Sequence, residues 1–276
     1  PPGLPKTEFI THCPECGTKL VRNEDEAIVY CPNEWGCRPQ LIGKIQHFIS
    51  RKAMNIEGIG DETVEQLFDA GLIRTIADLY ELKREQLLPL ERFAEKSVDN
   101  MLKGIEKSKE VPFERVLFAI GIRYVGETVA KKLARHFKSI DNLQKATFEE
   151  LVKAEDVGEK IAKSIIRYFK DEHNIEIINR LKKHGLKFSL TEEQLQNMSD
   201  KLAGLKFVVS GVFHDFSRDE LKHLIEQNGG RVVSSVSSKT DYIIAGENMG
   251  PSKREKAERL GIKIISEKEF EKMLEE

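Results

Sequence analysis

Gly58-Ile59-Gly60-Asp61-Glu62-Thr63-Val64 is the stretch on which the fold of most of this chain turns, because its pattern comes back three times. The later copies are Ala94-Glu95-Lys96-Ser97-Val98, Gly126-Glu127-Thr128-Val129-Ala130 and Gly158-Glu159-Lys160-Ile161-Ala162; counted from Gly60, successive starts lie 34, 32 and 32 residues apart. Each copy follows an apolar residue (Ile59, Phe93, Val125, Val157) and opens an amphipathic helix. After Gly126, for instance, Val129, Leu133 and Phe137 fall at i, i+4 and i+8 on one helical face. A helical stretch also precedes each copy, such as 116–120, stopped by Gly121. A repeat of this length marks one supersecondary unit used several times. Here the unit is helix, tight hairpin, helix, and four units predict an all-α region over 56–190.

The chemistry of the unit lies in its hairpin. Glycine tolerates positive φ and lets backbone approach a ligand closely. The helix that follows offers unpaired N–H groups and the positive end of its dipole, which suits a phosphate. A small residue at the fifth position (Val64, Val98, Ala130, Ala162) lets the helices pack tightly. Such a site grips nucleic acid by its backbone without reading bases. That fits a region carrying 24 basic and 24 acidic residues. The segments resemble helix-hairpin-helix motifs. On that resemblance Gly58, Gly60, Thr63, Arg123, Gly126, Thr128, Lys131, Gly158 and Lys160 are candidate DNA contacts. The third and fourth units replace the leading glycine by Tyr124 and Asp156. The second departs at both places, with Arg92 and Ala94, and is the weaker candidate. The bland alternative is that every unit is simply a packed helical pair.

All four cysteines, Cys13, Cys16, Cys31 and Cys37, fall in a C-x2-C-x14-C-x5-C pattern. Four thiolates from two short knuckles close a tetrahedral shell around zinc, and all-cysteine coordination leaves no position for water. The Zn2+ is therefore expected to be structural. Turn formers surround the thiols: Pro14 and Gly17 in the first knuckle, Pro32, Asn33 and Gly36 in the second. Between them 19–22 and 27–30 read as short strands joined by the polar turn 23–26, giving a zinc ribbon. Two disulfides are the alternative, one that suits secreted mini-domains. His12 and His47 are candidates for a ligand swap, and Trp35 is expected to pack over the metal.

The last third changes character. Residues 189–201 are polar and read as a linker. Then 206–210, 231–233, 242–245 and 263–265 read as strands, alternating with helices at 218–228, 252–260 and 267–275. Strands that alternate with helices make a parallel sheet covered on its faces. The Gly229-Gly230 pair, Thr240-Asp241-Tyr242-Ile243-Ile244 and the lysine-rich second helix resemble a BRCT domain, with Phe270 where many members carry tryptophan. In phosphate-reading members a hydroxyl residue and glycine at the first strand's end, with a lysine from the second helix, hold the phosphate. Ser210, Gly211 and Lys253 match those places. A hydroxyl capping a turn beside a solvated lysine is the alternative.

Length and composition set the limits. The chain has 276 residues, enough for two or three domains. One third are charged and the net charge is −2, so an indiscriminate nucleic-acid binder, which would be strongly basic, is excluded. No run approaches the ~18 apolar residues of a membrane span. Residues 1–9 lack a secretory signal pattern. No membrane partner is expected; the resemblance set out next implies a monomer of the bacterial cytoplasm, on the nucleoid.

The order of the modules is more specific than any of them. Together with the cysteine spacing, the run His47-Phe48-Ile49-Ser50-Arg51-Lys52-Ala53-Met54-Asn55-Ile56, Ile105-Glu106-Lys107-Ser108-Lys109 and Gly121-Ile122-Arg123-Tyr124-Val125-Gly126 resemble the C-terminal half of a bacterial NAD-dependent DNA ligase. The implied fold is multidomain α+β. Residues 1–8 would be a lead-in after a missing OB-fold, 9–40 the zinc ribbon and 41–55 a connecting helix. Four helix-hairpin-helix units would fill 56–190, a linker 191–201 and a BRCT domain 202–276. The family's adenylated lysine sits in a lysine-x-aspartate-glycine motif, and no Asp-Gly dipeptide occurs here. The resemblance thus implies a half that grips nicked duplex DNA in replication and repair, with no catalytic residue of its own. NAD and Mg2+ would bind only through the adenylation domain. The competing reading is a non-catalytic repair or replication scaffold whose BRCT domain reads a phosphate.

Overall fold

The computed structural model describes residues 9–23 and 26–275. The 1–8 lead-in and the middle of the turn 23–26 lie outside the described residues. The chain divides into two compact units, one ending at Leu190 and one starting at Thr191.

The first unit begins with the ribbon. Strands β1 (Val21–Arg22) and β2 (Val29–Tyr30) pair antiparallel, with Val21 opposite Tyr30. They are too short to hold a core of their own, and Val21, Ile28 and Val29 remain exposed. Cys37 ends the ribbon and is also the N-cap of the helix Arg38–Ile49, whose Leu41, Ile42, Ile45, Phe48 and Ile49 are buried. Pro39 suits this first turn, where its missing N–H leaves nothing unsatisfied.

The helices Asp61–Asp69, Glu95–Ser108, Glu127–Phe137 and Glu159–Lys170 start where the repeat predicts, directly after Gly60, Ala94, Gly126 and Gly158. Val64, Val98, Ala130 and Ala162, the small fifth positions, are all fully buried. One continuous apolar core runs from Ile42 to Phe188 through all four units. The helices leading into the second and fourth hairpins shrink to Arg84–Leu87 and Phe148–Leu151. A last helix, Glu172–Lys183, clasps the front of the unit: Arg180 reaches Asp78 at 2.6 Å and Glu81 at 2.7 Å, both on the 3-10 turn Ile76–Glu81.

In the second unit β3 (Lys206–Ser210), β4 (Arg231–Val232), β5 (Tyr242–Ala245) and β6 (Lys263–Ile265) form a parallel sheet in the order β4-β3-β5-β6. Strand alternation sends Phe207 and Ile244 to one face, with Leu221, Ile225 and Phe270 from helices Arg218–Gln227 and Glu267–Glu275. Val208 and Ile243 point to the other, where Ala257 of helix Pro251–Leu260 covers them. Phe270 is fully buried and meets Phe207 edge to face at 5.8 Å, so the aromatic anchor works without an indole. Residues ahead of β3 belong to this unit: Glu192–Gln196 is a short helix, and Ser199 N–H donates to the Gln227 carbonyl. Among the described residues no helix is long and apolar enough to cross a membrane.

Candidate nucleic-acid interface and metal centre

The four hairpins share one backbone. Their leading positions, Gly58, Arg92, Tyr124 and Asp156, have φ of 85°, 68°, 67° and 60°, the left-handed region in every case. The following N-cap is extended each time, and its carbonyl accepts the first helical hydrogen bond, from Val64, Val98, Ala130 and Ala162. The second hairpin, which departs in sequence, therefore does not depart in conformation. Packing of the apolar residue and the buried fifth position sets the turn, and a non-glycine residue accepts left-handed φ at a cost of order 1 kcal/mol.

The N-caps differ in what they leave open. Gly60, Gly126 and Gly158 have no side-chain capping bond and negative φ, and a Cβ there would meet no described atom beyond the chain neighbours within 4 Å. Among the described residues neither strain nor crowding calls for glycine there. Ala94 has a Cβ, and its N–H is taken by Ser97 Oγ at 2.9 Å. An acidic residue opens all four helices, where it suits the dipole. Three of these are drawn to cations: Glu95 to Arg84 at 3.8 Å, Glu127 to Lys52 at 3.2 Å, Glu159 to Lys163 at 4.0 Å.

The candidate side chains do not form one array. Thr63 is half-buried on the first hairpin helix, while Thr128 and Lys131 are exposed on the third. Gly58 answers an internal demand: a Cβ on it would stand 3.0 Å from the Met101 backbone. Arg123 and Lys160 come together, but around a carboxylate that sequence reading overlooked. Glu26 of the ribbon receives Arg123 Nη2 at 2.9 Å, Lys160 Nζ at 3.1 Å and the Tyr124 hydroxyl. Arg123 also lies over the Tyr30 ring at 4.8 Å, and Lys160 over Tyr124 at 4.3 Å. The Tyr124 hydroxyl first, then Lys160 and Arg123, hold the Glu26 carboxyl down at about 2. No local pattern announces a pair of residues nearly a hundred positions apart.

Trp35 is a correction. Rather than serving the metal, its indole N–H donates to Asp171 at 2.8 Å, and its ring stacks on His173 at 5.0 Å and carries Lys44 Nζ at 3.9 Å from its centre. A large aromatic with one polar edge is better used joining ribbon to helices than covering a small thiolate cluster. Between the ribbon, helix Arg38–Ile49 and the third and fourth hairpins lies an open cavity of about 1180 Å3, bordered by Glu26, Trp35, Arg123, Tyr124 and Lys160.

The four thiols meet the metal test. All Sγ atoms lie within 4.8 Å of one another, with Cys13–Cys37 at 3.9 Å and Cys16–Cys31 at 3.5 Å. A tetrahedron with Zn–S near 2.3 Å has edges of about 3.8 Å. None of the four is disulfide-bonded. Thr18, by its side chain first and its backbone second, lowers the Cys16 thiol to about 6, whereas burial pushes Cys37 up to about 12. Four thiolates this close need a cation among them. Neither histidine joins: His47 Nε2 contacts the Phe118 carbonyl and His12 Nδ1 the Thr11 hydroxyl.

In the second unit Ser210 ends β3 and is buried, while Lys253 is half-buried early in helix Pro251–Leu260. Among the described residues no polar contact joins Lys253 to Ser210 or Gly211. Gly211, at φ 112°, has an internal reason: a Cβ would strike the Gly246 backbone at 2.7 Å.

Comparison with known families follows the same division. Residues 12–38 match the NAD-dependent DNA ligase C4 zinc finger domain. Residues 50–107 match a SAM-like helix-hairpin-helix tandem, 115–178 a helix-hairpin-helix motif and 197–274 the BRCT domain. A DNA ligase of Flavobacterium psychrophilum is 57% identical over 274 residues, covering 99% of this chain and 41% of the relative. DNA ligases of Christiangramia forsetii and Bacteroides fragilis are 58% and 57% identical over 269 residues, covering 98% of the chain and 40% of each relative. The chain thus spans about two fifths of the length of the curated relatives it matches. With every module matched in order and more than half the residues identical across nearly the whole chain, it is similar to these DNA ligases over the portion from zinc finger to BRCT domain.

Proposed function

We propose that this chain is the DNA-gripping part of an NAD-dependent ligase, holding nicked duplex by its backbone while an adenylation domain elsewhere in the ligase seals the 5′-phosphate to the 3′-hydroxyl. The observation that carries this reading is the set of open N-caps. Gly60, Gly126 and Gly158 are glycines that neither strain nor crowding among the described residues demands, each beside helix-start N–H groups with no side-chain cap. A phosphate is the ligand such a surface fits, and three such points fix a duplex without reading its sequence. Thr63, Thr128 and Lys131 flank these points as secondary contacts.

The contribution to catalysis is positional. Holding the two ends of a nick in line converts a bimolecular encounter into an oriented one. NAD and Mg2+ would act in the adenylation domain, beyond an OB-fold. Within this chain Cys13, Cys16, Cys31 and Cys37 hold Zn2+, which keeps the ribbon folded against the hairpins. Ser210 and Lys253, with Gly211, would read a phosphate on the BRCT domain. A Lys253→Ala variant that keeps its preference for phosphorylated DNA ends would remove that part. The whole works as a monomer in the bacterial cytoplasm, on the nucleoid.

The test is fluorescence anisotropy of a labelled nicked duplex against single-stranded DNA over a salt series. Several backbone contacts predict log K falling by about 0.9 per contact for each decade of salt. Equal affinity for the two DNAs, or a flat salt response, would favour the scaffold reading.

A further inference from the structure

Two of the cations that sequence reading offers to DNA are already engaged. Arg123 and Lys160 belong to adjacent hairpins, and both turn to Glu26, with the Tyr124 hydroxyl as third donor. Two cations and a hydroxyl converging on two oxygens form the donor set that a phosphodiester also takes. The set sits two residues from Gly126 on one side and two from Gly158 on the other. It is therefore continuous with the two open N-caps of the second hairpin pair. It also borders the open cavity, so an anion can reach it. The first pair is built differently: Gly58 occupies the place of Tyr124 and packs directly on the Met101 backbone, with no side chain to offer.

We propose that Arg123, Tyr124 and Lys160 form an anion seat held by Glu26 in the free protein, and that a phosphate of duplex DNA displaces Glu26 from it. The inference rests on the backbone-grip reading and adds a competitor built into the ribbon. Exchange of one anion for another keeps the charge balance of the seat. Glu26 on leaving gains water, which compensates the loss of its partners. The ribbon thereby sets the affinity of the second hairpin pair without touching DNA. The seat raises specificity for ligands with several phosphates in register, because a lone anion must displace Glu26 with no neighbouring contact to help.

The test compares wild type with Glu26→Gln, which keeps size and removes charge, in zinc-loaded protein. Two probes are titrated: nicked duplex and inorganic tripolyphosphate. Freeing the seat is expected to tighten duplex binding about three- to tenfold at low salt and to steepen the salt slope by about one to two units. Adding Lys160→Met to Glu26→Gln should cancel most of the gain. Unchanged or weaker duplex binding by Glu26→Gln overturns the proposal and leaves Glu26 a strut. Gain for tripolyphosphate alone overturns it too, since the seat would then serve free phosphate and not DNA. Whether wild type prefers duplex at all tests the backbone-grip reading separately. If Glu26→Gln loses zinc or melts early, the single variants Arg123→Met and Lys160→Met read the seat from the cation side. Each weakens duplex binding and flattens the slope in the proposal, and leaves both unchanged if Glu26 never yields.

Discussion

The first and third hairpins have the same backbone and opposite surroundings. At Gly58 the helix Glu95–Ser108 comes so close that a Cβ would touch the Met101 backbone, and Gly104 of that helix lies against the Glu57 carbonyl. At Tyr124 the facing helix carries Ser164, which donates to the Arg123 carbonyl at 2.7 Å, and the tyrosine turns outward to Glu26. One left-handed position is glycine because of packing; the other bears a side chain that reaches Glu26 of the ribbon. The lesson is that glycine in a repeat has two separable causes. The leading glycine, Gly58, answers to a neighbouring helix, whereas the N-cap glycines meet no crowding among the described residues.

The largest effect should follow from losing the metal. Cys37→Ser removes a zinc ligand at the N-cap of helix Arg38–Ile49. Because metal binding supplies the folding free energy of such small sites, the ribbon should unfold and the protein lose zinc. Amide exchange should rise around Tyr124 and spare the region of Gly58 and Met101. Equal loosening of both pairs would erase the contrast between them.

Next comes the internal glycine. Gly58→Val should cost about 1–3 kcal/mol in urea unfolding from its φ alone, with crowding on Met101 added. Tyr124→Gly should change stability by less than about 1 kcal/mol, because relief of left-handed strain offsets lost contacts. If the two variants proved equally destabilising, packing would not distinguish the hairpins.

Gly126→Val inverts the pattern. Its Cβ meets no described atom and its φ is −81°, so unfolding should shift by no more than about 1 kcal/mol, the cost of a poorer N-cap residue. Affinity for nicked duplex should nevertheless fall about tenfold, a loss near 1.4 kcal/mol, without altered sequence preference. An unaffected titration would show that the open N-cap is not a contact.

The smallest effect is with acid. Glu26 is held at about 2 in the folded protein against an ordinary 4.5. Its folded value is the lower one, so the latch favours the folded state above pH 4.5 and fades as pH falls toward 2. Exchange near Tyr124 should rise in that window before exchange near Gly58. Identical profiles would mean that Glu26 does not hold the third hairpin.

Much of this was legible in sequence for simple reasons. The hairpin period, the buried fifth positions and the cysteine spacing are local patterns, and the alternation in β3 and β5 divides the C-terminal core between two faces without reference to anything distant. Arg92, Tyr124 and Asp156 did not announce the turn they share with Gly58, because residue type at a left-handed position reports tolerance of strain rather than conformation. Trp35 misled because an indole beside cysteines suggests a lid, whereas its partner, Asp171, lies 136 residues away.

The sequence by itself thus determined the modules, their order, the metal ligands and the helix starts, since each depends on neighbours within a turn or a strand. Only the tertiary structure decided which glycines are packed and which stand open, and that Arg123 and Lys160 meet a carboxylate from the ribbon. Those facts depend on how closely separate elements approach, and contacts across a hundred residues leave no periodic trace in a single chain.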